Sequence, residues 1–180
     1  MARWALVVGS KDRRELCARA VAALERRGLR VGGVVQEAVL RDDERHGYET
    51  RHVATGERVH LGRRGTAAAG VRPEAVREFC SFFFDDDAFT LARGWIEADC
   101  AVRDVVVVDE VSKLEVAGAG HHDAIRSALG SPALVVLSVR ADQLFAVVER
   151  FGLDEAVTTL DAPDAAAVAA FADAVEAAVR

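Results

Sequence analysis

The chain has 180 residues, of which 29% are charged, and a formal net charge of −6. This acidic balance argues against general nucleic-acid binding and against binding to an anionic membrane, because both need a basic surface. Three widely spaced cysteines without a C-x-x-C pair indicate reduced thiols, and the apolar run at residues 4–8 is too short for a signal peptide or a membrane span, so we expect a cytoplasmic protein.

Short runs rich in Val and Leu alternate with segments at helical spacing. Strands are predicted at WALVV, LRVGGVVQ, DVVVVDE, ALVVLSV and EAVTTL. Helices are predicted at RELCARAVAALERRG, after the three phenylalanines of CSFFFDDD, at GHHDAIRSALG, at ADQLFAVVERFG and along the Ala-rich C-terminus. Continuous apolar strands are buried on both faces, so the alternation predicts an α/β domain with a mainly parallel sheet and helices on both faces.

Residues 47–61 depart from this alternation. Around Thr55 and Gly56 the residues alternate in polarity, which is typical of a β-hairpin with one face in solvent. Since the chain shows no linker and no internal repeat, we expect one domain over residues 1–180, with this hairpin as an insertion.

The first strand, Gly9 and the first helix have the layout of a phosphate-binding loop. The intervening residues SKDRR supply a hydroxyl and three cations near a helix N-terminus, where free N–H groups favour anions. The candidate nucleotide-binding residues are therefore Gly9, Ser10, Lys11, Asp12, Arg13 and Arg14.

The segment DVVVVDE places two carboxylates at the end of a buried strand. Ligands of open α/β sheets bind at this edge. In phosphate-loop hydrolases an acid here holds Mg²⁺ through water, and the next acid can activate the attacking water. Asp109 is thus the candidate metal residue and Glu110 the candidate catalytic residue, although a strand terminus or a helix cap would also account for such a pair.

The stretch VVVVDEVSKLEVAG resembles the D-E-[IV]-G-K-M-E-L segment of the small cancer-related nucleoside-triphosphatase family. Asp109, Glu110, Lys113 and Glu115 fall on that pattern, and Ser112 replaces its glycine. The stretches GLRVGGVVQEAVLR and RHGYETRHVATGERVHL are similar to the family's next elements. The resemblance implies a three-layer P-loop NTPase fold of the ASCE (RecA-like) type and slow, Mg²⁺-dependent hydrolysis of a nucleoside triphosphate such as ATP or GTP, with Lys113 as a further catalytic candidate.

The phosphate loop itself departs from the family pattern G-x-P-G-x-G-K-T-T-L. This chain has GSKDRREL, which is two residues shorter and has no counterpart of the second glycine, the lysine or the Mg²⁺-binding hydroxyl. The loop is consequently a degenerate Walker A motif. Three readings remain open: a working triphosphate site, a weak or altered anion site, or a plain turn in which Ser10 or Asp12 caps the helix.

Other polar residues have simpler interpretations. Glu37 follows the second predicted strand and either approaches the site edge or lies at the surface. Adjacent side chains on a helix diverge, so His121 and His122 are read as part of a polar helix start and not as metal ligands. One residue of Asp85–Asp87, and either Asp161 or Asp164, are expected to cap the helices that follow them.

Two functions fit these observations. The first is Mg²⁺-dependent binding of a nucleoside triphosphate with slow or lost hydrolysis, which the acid pair favours. The second is a non-catalytic binding or regulatory module that acts through an unidentified protein partner, which the altered loop favours.

Overall fold

The computed structural model describes residues 3–9 and 15–180 of the chain. Within these ranges the chain forms nine strands, which are β1 (Trp4–Gly9), β2 (Val31–Arg41), β3 (Glu44–His52), β4 (Arg58–Arg64), β5 (Val76–Phe79), β6 (Phe82–Asp85), β7 (Val105–Val111), β8 (Leu134–Arg140) and β9 (Thr159–Leu160). The helices in the same ranges are α1 (Leu16–Arg26), α2 (Asp86–Val102), α3 (Lys113–Val116), α4 (His122–Leu129), α5 (Leu144–Phe151) and α6 (Ala165–Val179). None of them is long and apolar enough to cross a membrane.

All of these strands join one sheet in the order β5-β6-β4-β3-β2-β7-β8-β1-β9. The strands from β2 to β9 in this order pair in parallel, as the Val-rich sequence predicts. From β2 outwards, β3, β4, β6 and β5 continue the sheet with antiparallel pairs. The sheet therefore consists of a parallel half and an antiparallel half.

Helices cover both faces of the parallel half. Helices α1 and α6 pack on one face, and α2, α4 and α5 pack on the other. The four valines Val105–Val108 of β7 are each 0% exposed, with alternate side chains entering the two cores. This three-layer arrangement confirms the predicted fold class, and it follows from strands that are apolar on both sides.

The antiparallel half is larger than the sequence indicated. The phenylalanines at 82–84 lead into helix α2 as predicted, but they also form a strand, β6, which pairs with β4 and β5. Strand β2 continues to Arg41, so Glu37 lies within a strand and forms ion pairs with Arg51 and Arg58. Three aromatic residues in succession suit a pleated surface with contacts on both sides, which explains the strand at this position.

Two helices are capped at their N-termini by aspartates that were predicted from the sequence to do so. Asp85 precedes α2, and its side chain accepts a hydrogen bond from the backbone N–H of Asp87 at 2.9 Å. Asp164 precedes α6 and accepts one from the N–H of Ala167 at 2.9 Å. Each carboxylate satisfies an N–H group that has no partner within the helix, so both capping predictions are confirmed.

A buried polar cluster attaches the β3–β4 hairpin to helix α2. Asp99 of α2 accepts hydrogen bonds from the N–H of Gly33 at 2.7 Å and from Nε2 of His52 at 2.8 Å. The imidazole of His52 also stacks on the indole of Trp95, with ring centroids 5.1 Å apart, and its Nδ1 contacts the hydroxyl of Thr55 at 2.9 Å. These contacts fix the hairpin base against the parallel half of the sheet.

Candidate functional site

The predicted acid pair lies at the carboxyl end of β7, where the strand is irregular. The register between β7 and β8 shifts between Val108 and Val111, so the pair occupies a β-bulge. Glu110 has a φ of +57°, in the left-handed region that side chains other than glycine rarely adopt. Bulges and such strained residues cost free energy and concentrate at functional sites, because they redirect a side chain.

Asp109 is buried in this bulge, with 7% of its surface exposed. Its Oδ2 accepts a hydrogen bond from the N–H of Gln36 at 3.1 Å, and its Oδ1 accepts one from the N–H of Glu110 at 2.9 Å. The hydroxyl of Ser138 and the thiol of Cys17 also hydrogen-bond to this carboxylate. Burial raises the pKa of Asp109, and these four donors partly oppose that rise.

Cys17 connects the acid pair to the start of helix α1. Its side chain is buried in the first turn of the helix, beside Asp109 and Ser138. Burial raises the pKa of the Cys17 thiol well above its usual range, and the neighbouring carboxylate of Asp109 raises it further. The thiol is therefore protonated and serves as a hydrogen-bond donor to Asp109.

The predicted phosphate loop is described only at its two ends. Gly9 ends β1 beside Arg140, the last residue of β8, and α1 begins at Leu16 with Glu15 before it. The predictions for Ser10, Lys11, Asp12, Arg13 and Arg14 lie outside the described residues. Because β8 lies between β1 and β7, Gly9 and the acid pair are two strand spacings apart, or about 10 Å.

Lys113 and Glu115 follow the bulge on the short helix α3. Lys113 is exposed and is without an ion pair in the described part of the chain. Glu115 is buried, and its carboxylate accepts hydrogen bonds from the N–H of Ser112 at 2.9 Å and of His121 at 3.2 Å. Burial raises the pKa of Glu115 to about 7, so its charge changes near neutral pH.

His121 lies at the start of helix α4, as predicted, but its side chain is not exposed there. It is buried, and its ring meets that of Phe89 edge-on at a centroid distance of 4.9 Å. Neither ring nitrogen has a hydrogen-bond partner in the part of the chain that the structure describes, and burial lowers the pKa of His121 to about 4. Helix α4 begins one residue later, at His122.

The sequence predicted the acid pair but not the residues that surround Asp109. Ser138 could have been identified, since it is a polar residue within the otherwise apolar run LVVLSV. The roles of Cys17 and Gln36 could not, because they depend on where α1 and β2 cross the end of β7.

The donor set around Asp109 fits an indirect role in holding Mg²⁺. Within residues 3–9 and 15–180, no group of three or more His, Cys, Asp or Glu side chains is placed to hold a metal ion by itself. Mg²⁺ is commonly held by one or two carboxylates together with waters and substrate phosphates. Asp109 and Glu110 supply hard oxygen ligands of that kind, whereas the thiol of Cys17 is a soft ligand that suits Mg²⁺ poorly.

The fold and this edge define a class of protein. A parallel sheet opens with a strand, a glycine and a helix, and two carboxylates end a strand two positions away. This is the arrangement of the phosphate-loop nucleoside triphosphatases.

The comparisons with known proteins agree with that class. A family model described as NTPase matches residues 12–162, and the chain therefore belongs to this NTPase family. The solution structure of a human cancer-related nucleoside triphosphatase is similar, with a TM-score of 0.66, 20% identity, and coverage of 99% of this chain and 97% of that chain. At this identity the likeness concerns the fold. No curated protein sequence matches the chain.

These findings confirm the family predicted from residues 109–115 and support a nucleoside-triphosphatase-like function. The matched segment begins at residue 12 and so excludes Gly9, Ser10 and Lys11. The family match consequently rests on the sequence of residues 12–162 and not on the start of the phosphate loop.

Proposed function

We propose that the protein binds a nucleoside triphosphate with Mg²⁺ at the edge formed by β1, β8 and β7, and that it hydrolyses the nucleotide slowly or not at all. The observation that supports this most is the bulge at Asp109 and Glu110, which faces the first turn of α1 through Cys17. A buried Asp109 next to a strained Glu110, beside a helix N-terminus, is costly to fold, and a ligand at this edge explains the arrangement.

Each residue has a distinct role in this proposal. Gly9 and residues 10–14 would bind the phosphates through N–H groups and cations at the start of α1. Asp109 would accept a hydrogen bond from a metal-bound water, and Glu110 would orient the attacking water and accept its proton. Lys113 would neutralise phosphate charge from the start of α3. When bound, Mg²⁺ would stabilise the negative charge that develops on the transferred phosphoryl group.

Two features support slow or lost hydrolysis. The first is the loop, which is two residues shorter than the family pattern. The second is Cys17, the α1 residue that contacts Asp109, because its side chain is a thiol whereas Mg²⁺ prefers oxygen ligands. Removing one electrostatic donor from a catalytic site commonly costs about 10²–10³ in rate, so two such changes together predict weak turnover.

The test is phosphate release from ATP and GTP with Mg²⁺, in the native protein and in Glu110→Gln. Any turnover should fall by about 10²-fold or more in this variant, because the water loses its base. Glu155→Gln, which changes an exposed carboxylate away from the site, should keep the native rate. Turnover that survives in Glu110→Gln would contradict the assigned role, and rapid turnover in the native protein would contradict slow hydrolysis.

A further inference from the structure

A pocket of about 300 Å³ lies next to the acid pair, on the antiparallel side of the sheet. We call it the aromatic pocket, because it is lined by five rings, those of Tyr48, Phe79, Phe82, Phe84 and Phe89. Its volume is at the lower end for small-molecule sites, so it fits one ring system and not a complete nucleotide.

The rings form a continuous wall. Tyr48 lies 5.0 Å from Phe82 and 6.2 Å from Phe84 between ring centroids, and its plane is within 17° of that of Phe84. Phe84 in turn lies 5.9 Å from Phe89. Of these, Tyr48, Phe82 and Phe84 are only half-buried, so their faces are available to a ligand. Planar rings pack on such surfaces in offset-stacked or edge-on geometry.

Arg45 contacts Tyr48 and keeps one N–H group, that of its Nε, without an acceptor among the described residues. Its Nη1 donates a hydrogen bond to the hydroxyl of Tyr48 at 2.9 Å, and its guanidinium lies 5.3 Å from the centre of that ring. Its Nε is buried, and within residues 3–9 and 15–180 it has no hydrogen-bond partner and no carboxylate within ion-pair distance of the side chain. A buried N–H group without a partner costs free energy, which an acceptor on a bound ligand would recover.

The pocket also opens toward the proposed nucleotide site. Glu110 and Ser112 form part of its wall, and Gln36, whose N–H binds Asp109, lines it as well. Gly9 and the start of α1 lie on the other side of β7, beyond β8. A ring in the pocket would therefore lie against Glu110 on the side away from the phosphate loop.

We propose that the aromatic pocket binds a planar heteroaromatic ring of the nucleobase type, stacked on Tyr48 and accepting a hydrogen bond from Arg45. The ring belongs to a separate molecule placed beside Glu110, because the base of a nucleotide bound at the phosphate loop lies at the far end of its triphosphate from Glu110. This choice of source rests on the proposed function, whereas the ring site itself does not.

Cys80 provides a direct reporter of the pocket. It lines the pocket and is exposed, while Cys17 and Cys100 are buried. Its rate of reaction with a thiol reagent such as DTNB can be measured in the full chain with and without adenosine or guanosine. Nucleosides carry the ring without phosphates, so they test the pocket independently of the phosphate loop. We expect a saturable slowing of about fivefold, because saturating nucleoside leaves about a fifth or less of the pockets empty and the thiol covered in the rest.

Variants locate the binding. Tyr48→Leu keeps an apolar side chain but removes the ring, and Arg45→Gln removes the donor; each should abolish protection while leaving the thermal unfolding curve cooperative. Phe145→Ala removes an aromatic ring that is 80% exposed on α5, and Arg126→Gln removes an exposed cation on α4. Both should retain full protection.

A non-hydrolysable ATP analogue with Mg²⁺ distinguishes a separate molecule from the base of the bound nucleotide. If the analogue protects Cys80 and competes with the nucleoside, the ring is the base of the bound nucleotide, which would contradict a separate molecule beside Glu110. The other outcome is that the analogue saturates its own site without protecting Cys80, while added nucleosides still protect the thiol. The ring is then a separate molecule. Protection by nucleosides without any binding of the analogue would support the ring site and contradict the proposed function. If neither probe protects Cys80 at millimolar concentration, the ring site is wrong, whether or not the analogue binds elsewhere.

Discussion

The contact between Cys17 and Asp109 determines how this edge can interact with Mg²⁺. A carboxylate surrounded by backbone N–H groups, a hydroxyl and a thiol is stabilised without a metal ion. The same contacts keep Asp109 oriented, since the bulge alone would leave its side chain less constrained. A thiol, however, is a poor ligand for a hard cation such as Mg²⁺, whereas a hydroxyl in the same place would be a suitable one.

Exchange of this thiol for a hydroxyl should strengthen metal-dependent binding. In Cys17→Ser we expect the affinity for a non-hydrolysable ATP analogue to rise about 3- to 10-fold with Mg²⁺ and to change little without it, because Mg²⁺ prefers oxygen ligands. Titration calorimetry measures both affinities. Cys100→Ser, at a buried thiol on helix α2, is the matched control and should leave them unchanged. A folded Cys17→Ser protein without any gain would show that the thiol is not limiting.

Glu115 and His121 are neighbouring buried groups whose titrations act on stability in opposite directions. The pKa of Glu115 is raised to about 7 and that of His121 is lowered to about 4, both by burial. Between pH 4.5 and 7 the folded state binds more protons at Glu115 than the unfolded state does, so this residue lowers stability as pH rises. Between pH 4 and 6.5 the unfolded state binds more protons at His121, so this residue raises stability over much of the same range.

Removal of either group should therefore expose the effect of the other. Relative to the native protein, Glu115→Gln should gain stability as pH rises from 4.5 to 7, by an amount on the order of 3 kcal/mol for such a buried group. His121→Leu, which removes an imidazole without hydrogen-bond partners, should instead lose relative stability as pH rises from 4 to 6.5. Urea unfolding at several pH values measures both slopes. Parallel profiles for the three proteins would contradict the two pKa shifts.

At the scale of elements, the attachment of the β3–β4 hairpin to α2 matters most for the shape of the aromatic pocket. Tyr48 is on β3, while Phe84 and Phe89 are on β6 and α2, so the hairpin and the helix must keep a fixed distance. The buried carboxylate of Asp99 supplies that connection through Gly33 and His52.

Loss of this carboxylate should destabilise the fold. In Asp99→Ala, the N–H of Gly33 and the imidazole of His52 lose their acceptor in a buried place, which typically costs about 2–4 kcal/mol. Asp142→Ala removes a carboxylate of comparable size from an exposed ion pair with Arg140 and should change stability little. Denaturant unfolding compares the two. Equal effects would mean that the buried cluster is not what holds the hairpin.

The parallel half of the sheet was predictable from sequence, whereas the antiparallel half was not. A run such as VVVV can only be a strand buried on both faces, and the acid pair that follows it must lie at the sheet edge. In contrast, Phe82–Phe84 are apolar without alternation and precede three aspartates, so strand and helix start were both compatible with the pattern. Pairing with β4 and β5 makes these residues a strand ahead of the helix that begins at Asp86. Such long-range pairing cannot be predicted from the local sequence.

The site was predictable to the same extent. Asp109 and Glu110 are adjacent in sequence, and their motif was enough to place them. The aromatic pocket is assembled from residues on β3, β5, β6 and α2, which come together only through the sheet order. The left-handed conformation of Glu110 was likewise unpredictable, because it results from the register shift against β8.

At the scale of the whole molecule, the two halves of the sheet carry the two proposed binding sites. The parallel half carries Gly9, the start of α1 and the acid pair, which together form the proposed nucleotide site. The antiparallel half adds the aromatic pocket on the opposite side of Glu110. The match to the NTPase family covers parts of both halves, since it extends from residue 12 to residue 162.

The most direct measurement is a calorimetric titration of the full chain with a non-hydrolysable ATP analogue, with and without Mg²⁺. We predict saturable binding that strengthens with Mg²⁺ and is lost in Asp109→Asn, while the variant keeps a thermal midpoint equal to or above the native one, because its buried carboxylate is removed. If ATP and GTP analogues fail to bind up to millimolar concentration, the edge is not a nucleotide site, and the alternative of a non-catalytic module that binds a protein partner would take its place.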